Sequence, residues 1–153
     1  MKILMVCLGN ICRSPMADAL LRKKIKEQGL NAEVDSAGTG DWHVGEAPDD
    51  RMRETGKKFG VPIDELRGRQ FKVADYDNFD RIYVMDQSNY KNVLALARNQ
   101  EDRDKVELIL NVSNPGKDLE VPDPYFGGDE GFKNVFKMLD EATDFIVEEI
   151  KNN

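Results

Sequence analysis

The segment KILMVCLGNICRSPMADALLRKKI, residues 2–25, decides how this chain folds. Residues 2–8, KILMVCL, are almost continuously apolar, as expected of a strand covered on both faces in a parallel sheet. Ser14 and Pro15 then supply a helix N-cap and a first-turn proline. Met16, Leu20, Leu21 and Ile25 recur at helical spacing until Gly29 ends the run. The unit is strand, tight loop, helix.

The same alternation continues downstream. A second strand fits 32–37 (AEVDSA), and a helix fits 49–59 between Pro48 and Gly60. A third strand, 81–86 (RIYVMD), precedes a helix over 87–98, and 105–110 (KVELIL) is a fourth strand. From 130 to 151, Phe132, Val135, Phe136, Leu139, Ala142, Ile146 and Ile150 fall at steps of three and four, an amphipathic helix. Strands alternating with helices imply right-handed crossovers. The pattern predicts an α/β fold: three layers, α/β/α, around a central four-stranded parallel sheet, doubly wound in the flavodoxin-like or Rossmann-like manner. Residues 1–153 are expected to form a single domain. Two long connections, 60–79 and 111–129, are expected to be structureless and functional.

Charged residues are 33% of the chain and hydrophobic ones 40%, a soluble globular profile. The net charge of −7 argues against nucleic acid or an anionic membrane as partner, because the overall field repels both. No apolar run approaches the roughly 20 residues of a membrane span, and the opening run is too short for a secretion signal. A cytoplasmic location is expected. There the two cysteines, Cys7 and Cys12, are thiols with a chemical task rather than a disulfide scaffold.

Cys7 lies where the first strand runs out, and ligands of doubly wound sheets bind beyond those strand ends. If residues 8–13 curl around one point, the backbone N–H groups of Leu8, Gly9, Asn10, Ile11, Cys12 and Arg13 make a nest for an anion, helped by the positive end of the next helix. Gly9 and Asn10 suit the tight or left-handed backbone such a curl demands. The same field favours a thiolate at Cys7. Ser14 can donate a hydrogen bond to that sulfur, and the Arg13 fork matches two oxygens of a phosphoryl group. Cys12 reads equally well as a structural or a functional thiol.

Thiolate attack on a phosphate ester needs a proton donor on the leaving-group side. Asp123, between Pro122 and Pro124, is the candidate, and once deprotonated it can activate water against a cysteinyl phosphate. Trp42, Tyr125 and Phe126 fall in loops expected to surround the entrance, where aromatic rings can sandwich a phenyl group. The lone histidine, His43, reads as an exposed loop residue. No GxSxG elbow and no Walker motif occurs, and no metal ion or cofactor is expected.

CLGNICRSP resembles the signature loop of the low-molecular-weight protein tyrosine phosphatases. DSAGT (35–39), DW (41–42), MDQSN (85–89) and DPYFG (123–127) resemble that family's other motifs in order, so the likeness spans essentially the whole chain. It implies hydrolysis of phosphotyrosine proteins and other aryl phosphates through a cysteinyl phosphate, with inorganic phosphate or vanadate as inhibitors. It further implies Asp123 as general acid, and Trp42 and Tyr125 as walls of the aryl slot. Asp86, Ser36 and Asn10 would brace the loop by hydrogen bonds, although Asp86 alone reads equally as a helix cap and Ser36 as a strand end. Cys12 would be a resolving partner able to form a reversible disulfide with Cys7.

Several alternatives share these residues. Arsenate reductases with this loop use further cysteines downstream, and none follows Cys12. Protein arginine phosphatases typically carry threonine where Ile11 stands, so Ile11 favours phosphotyrosine. A non-catalytic phosphopeptide-binding module would not need Cys7 and Asp123 together, and a dithiol redox switch would not need Arg13. Leu66 occupies a place where many members of the family have histidine, so the 60–79 loop is expected to be braced differently.

Overall fold

The computed structural model describes residues 1–153, the side chain of Phe126 excepted. Its elements run β1 (Lys2–Cys7), α1 (Arg13–Glu27), β2 (Glu33–Gly38), α2 (Asp50–Lys58), α3 (Ala74–Asn78), β3 (Arg81–Val84), α4 (Gln87–Leu94), α5 (Gln100–Asp104), β4 (Val106–Leu108), α6 (Leu110–Ser113), a 3-10 turn (Pro124–Phe126) and α7 (Gly128–Lys151). The sheet is parallel throughout, in the order β2-β1-β3-β4. This is the expected four-stranded α/β architecture.

Alternate residues of β1 serve opposite faces. Ile3, Met5 and Cys7 pack in one cluster with α1 and α7, through residues such as Met16, Leu20, Val135 and Leu139. Leu4 and Val6 join Ile82, Val84, Tyr76 and Val93 in the other, beneath α3 and α4. Both faces are covered, hence the unbroken apolar run. Because β2 and β3 flank β1 on opposite sides, the crossovers diverge from it and leave a crevice beyond its carboxyl end. Cys7 is its last residue.

Three expectations about boundaries are corrected. The two long connections are not structureless: 60–79 contains α3, and 111–129 contains the end of α6 and the 3-10 turn. The helix expected over 87–98 ends at Leu94, and α5 follows it, started by the Asn99 side chain accepting the Asp102 N–H at 2.9 Å. Ser14 does not cap α1. The cap position is Cys12, without a side-chain bond, because the Ser14 hydroxyl is turned towards Cys7 and Asn10. Among the described residues no helix is long and apolar enough to cross a membrane.

Asp18 on α1 has no exposed surface. Its Oδ1 accepts two hydrogen bonds from Arg22, at 3.1 and 2.9 Å, and that guanidinium also donates to the Val34 carbonyl, clasping α1 to β2. Its Oδ2 has no hydrogen-bond partner among the described residues. Burial pushes the Asp18 carboxyl up to about 6, against the pull of Arg22. The folded carboxyl therefore holds its proton more tightly than the unfolded one. Its contribution to stability is fullest below about pH 4 and fades as pH rises through 6. Asp18→Asn removes this titration. The variant's stability relative to the parent should then rise by on the order of 3 kcal/mol between about pH 4 and pH 7, read from urea unfolding. Parallel pH curves for the two proteins would contradict this account.

Candidate active site

A cleft of about 150 Å³ opens beyond the carboxyl end of β1. Its floor is Cys7, 2% exposed, and Leu8, Gly9, Ile11, Cys12 and Arg13 curl around it. The curl turns at Asn10, whose φ of 58° is left-handed, a conformation asparagine tolerates better than most residues. Gly9 does not take a positive φ. Asn10 is also the bracket. Its Nδ2 donates to Ser14 Oγ at 2.8 Å and Ser36 Oγ at 3.0 Å, while its Oδ1 accepts the Arg69 N–H at 3.0 Å.

Two groups converge on the sulfur. Ser14 Oγ lies 3.0 Å from Cys7 Sγ, and the Asn10 N–H donates to it at 3.3 Å. Asn10 and Ser14 thus sit behind the cleft and serve the sulfur, whereas Leu8, Gly9, Ile11 and Cys12 line it. The first turn of α1 has no side-chain cap and no acidic residue, so the positive helix end is left facing any bound anion.

Arg13 is 4% exposed. Its Nη1 donates to Asp86 Oδ2 at 2.7 Å and to the Val121 carbonyl at 3.0 Å. Burial works against its charge, but Cys7, Asp86 and Asp123 outweigh burial and hold the guanidinium charged. Asp86 fills both roles open to it, since its Oδ1 also accepts the Asn89 N–H at 2.8 Å and caps α4. Ser36 likewise is both a β2 residue and the acceptor for Asn10. Burial, reinforced by the charges of Asp49, Cys7 and Asp123, pushes the Cys12 thiol strongly up. Both sulfurs are free thiols.

Asp123 stands on the opposite lip. Its Oδ1 accepts the Tyr125 N–H at 3.0 Å and starts the 3-10 turn. Trp42 (67% exposed) and Tyr125 (58%) rise beside the entrance. Trp42 folds back over Gly40, where a Cβ would lie 1.9 Å from its ring, so any larger residue there would displace the ring. The expected contribution of Phe126 lies outside the described side chains.

His43 sits in a loop, as expected, but is only partly exposed. It lines the cleft wall, with Nδ1 2.5 Å from Glu46 Oε2. A three-residue spacing between His43 and Glu46 was the available signal. In the 60–79 loop Leu66 packs against the core, and the Arg69 side chain binds Asp35 and Asp75 at 3.1 Å while its N–H reaches Asn10.

The model of the family "Low molecular weight phosphotyrosine protein phosphatase" matches residues 2–153. The chain is 42% identical to a low molecular weight phosphotyrosine protein phosphatase of Schizosaccharomyces pombe over 149 residues, 95% of this chain and 94% of the other. Its structure resembles that of a protein tyrosine phosphatase from Entamoeba histolytica, with a TM-score of 0.92, 39% identity and coverage of 99% and 97%. A Drosophila arginine phosphatase has a TM-score of 0.90 at 32% identity, covering 99% and 98%. A match along nearly the full length, on a fold whose cysteine-bearing loop sits at the crevice, leaves one conclusion: this chain belongs to the low molecular weight phosphotyrosine protein phosphatase family.

Proposed function

We propose that the protein hydrolyses phosphotyrosine in proteins, and other aryl phosphate monoesters, through a cysteinyl-phosphate intermediate. The observation that carries this reading is a single one: the Cys7 sulfur, with a hydroxyl 3.0 Å and an amide 3.3 Å away, faces a carboxyl across one small cleft. The Cys7 thiolate attacks phosphorus as the bond from phosphorus to the phenolic oxygen breaks. Asp123 gives that oxygen its proton. The Asp123 carboxylate then takes a proton from water, which attacks the phosphorus, and the sulfur leaves as thiolate with Ser14 donating to it. Arg13, fixed through Nη1, presents its remaining donors to the equatorial oxygens together with the loop amides. Inorganic phosphate and vanadate should compete for this cradle. A reduced thiol is required, which fits a cytoplasmic protein.

Ile11 favours the phenyl substrate, because an apolar wall offers a guanidinium no hydrogen bond. Phosphotyrosine peptides should therefore exceed phosphoarginine peptides in kcat/KM by roughly 10- to 100-fold, the range over which an apolar pocket discriminates. The assay compares matched peptides. Preference for phosphoarginine would transfer the substrate assignment while leaving the cysteine chemistry intact.

A further inference from the structure

We propose that Arg51 is a positioning residue for Asp123: its guanidinium, held between the Tyr125 and Phe132 rings, locks the loop that carries the acid against the loop that carries the nucleophile. This rests on Asp123 being the general acid. The Arg51 Cζ lies 4.9 Å from the Tyr125 ring centroid and 4.6 Å from that of Phe132, both within reach of a cation–π contact. The two rings are unequal partners. Phe132 is buried on α7, whereas Tyr125 is mostly exposed, so Arg51 transmits the rigidity of the core to the entrance.

The other end of the brace is fixed to the cysteine loop. The Asp49 N–H donates to the Ile11 carbonyl at 2.9 Å, and the Asp49 side chain accepts the N–H groups of Arg51 and Met52 at 2.9 and 3.3 Å. Met52 is fully buried. The first turn of α2 is thereby pinned to the Cys7–Arg13 loop, and Arg51 projects from that turn. On the acid side, the bond from the Tyr125 N–H to Asp123 Oδ1 makes the carboxyl and the tyrosine backbone move together.

Two further anchors hold the acid loop at its ends. Upstream, the Val121 N–H binds the Met85 carbonyl at 2.8 Å and the Val121 carbonyl accepts from Arg13. Downstream, Pro124 rests on α7 so closely that a Cβ at Gly131 would lie 3.1 Å from its carbonyl oxygen. Pro122 and Asp123 between them are exposed. Arg51 supplies the sideways restraint that these anchors lack. Lysine keeps the charge but has no plane to lie between two rings.

The test measures kcat/KM across phenyl phosphates of matched size whose leaving groups differ in pKa, for the parent, Arg51→Lys, Arg51→Gln and Asp123→Ala. With the acid in place the dependence is shallow; in Asp123→Ala it is steep, because an unprotonated leaving group must carry its own charge. Both Arg51 variants should tilt it part of the way. Unactivated phenyl phosphate should fall roughly 5- to 30-fold, the scale of a partly desolvated cation–π contact, and the most activated ester should change little. Inhibition by vanadate should stay unchanged, since the cradle is untouched. A uniform fall across all leaving groups, a parent-like slope in Arg51→Lys, or weakened vanadate inhibition would overturn the proposal. A shallow slope in Asp123→Ala would instead refute the acid assignment beneath it.

Discussion

Cys7→Ser should eliminate turnover of p-nitrophenyl phosphate, a loss of at least about 10⁴-fold, as expected when a catalytic nucleophile is removed. A serine hydroxyl is far less acidic than a thiol, and among the described residues no base hydrogen-bonds to this position. His43, the chain's only histidine, is turned to Glu46, and the groups that meet the sulfur are a hydroxyl and an amide N–H, both suited to stabilising an anion that already exists. Anion binding should survive, because Arg13, the loop amides and the Asn10 bracket are unchanged. Vanadate or inorganic phosphate binding, followed by calorimetry, is the control. Turnover persisting in Cys7→Ser, or depending on added metal, would defeat the mechanism.

Asp123→Ala should slow phosphorylation by an aryl ester with a poor leaving group by roughly 10² to 10⁴, the usual contribution of a positioned proton donor. One carboxylate oxygen is occupied by the Tyr125 N–H, which leaves the other to carry the proton. The substitution also removes a cap from the 3-10 turn. That effect is worth about 1 kcal/mol at an exposed helix start, against roughly 3 to 5 kcal/mol for the lost proton transfer. Chemistry dominates stability here. Single-turnover rates should therefore fall while the urea midpoint moves little; a midpoint shift large enough to account for the rate would remove the case for Asp123 as acid.

The sequence made the cysteine loop legible because its parts are contiguous: strand, curl, arginine and helix lie within one stretch, and their relative placement needs no tertiary information. Asp86 and Ser36 were reachable only through resemblance, since nothing local says that a helix cap also holds an arginine 73 residues away. The helices α3, α5 and α6 leave no periodic signal because four or five residues cannot display a 3.6-residue period. Ser14 reads in sequence as a cap for a different reason. Hydroxyls before a proline satisfy backbone amides by default, and only the fold brings a sulfur close enough to compete. Arg51 carried no signal in sequence, because both of its aromatic partners arrive from the far end of the chain.

Cys7 closes a strand that is flanked by neighbours on both sides, while Trp42, His43 and Tyr125 ride on connecting segments at the periphery. The floor of the cleft is thus set by the sheet, whereas its rim, Asp123 included, is set by connecting segments. Substitutions at Trp42 or His43 can therefore reshape the doorway without moving the sulfur, whereas a change at Tyr125 reaches the carboxyl beside it.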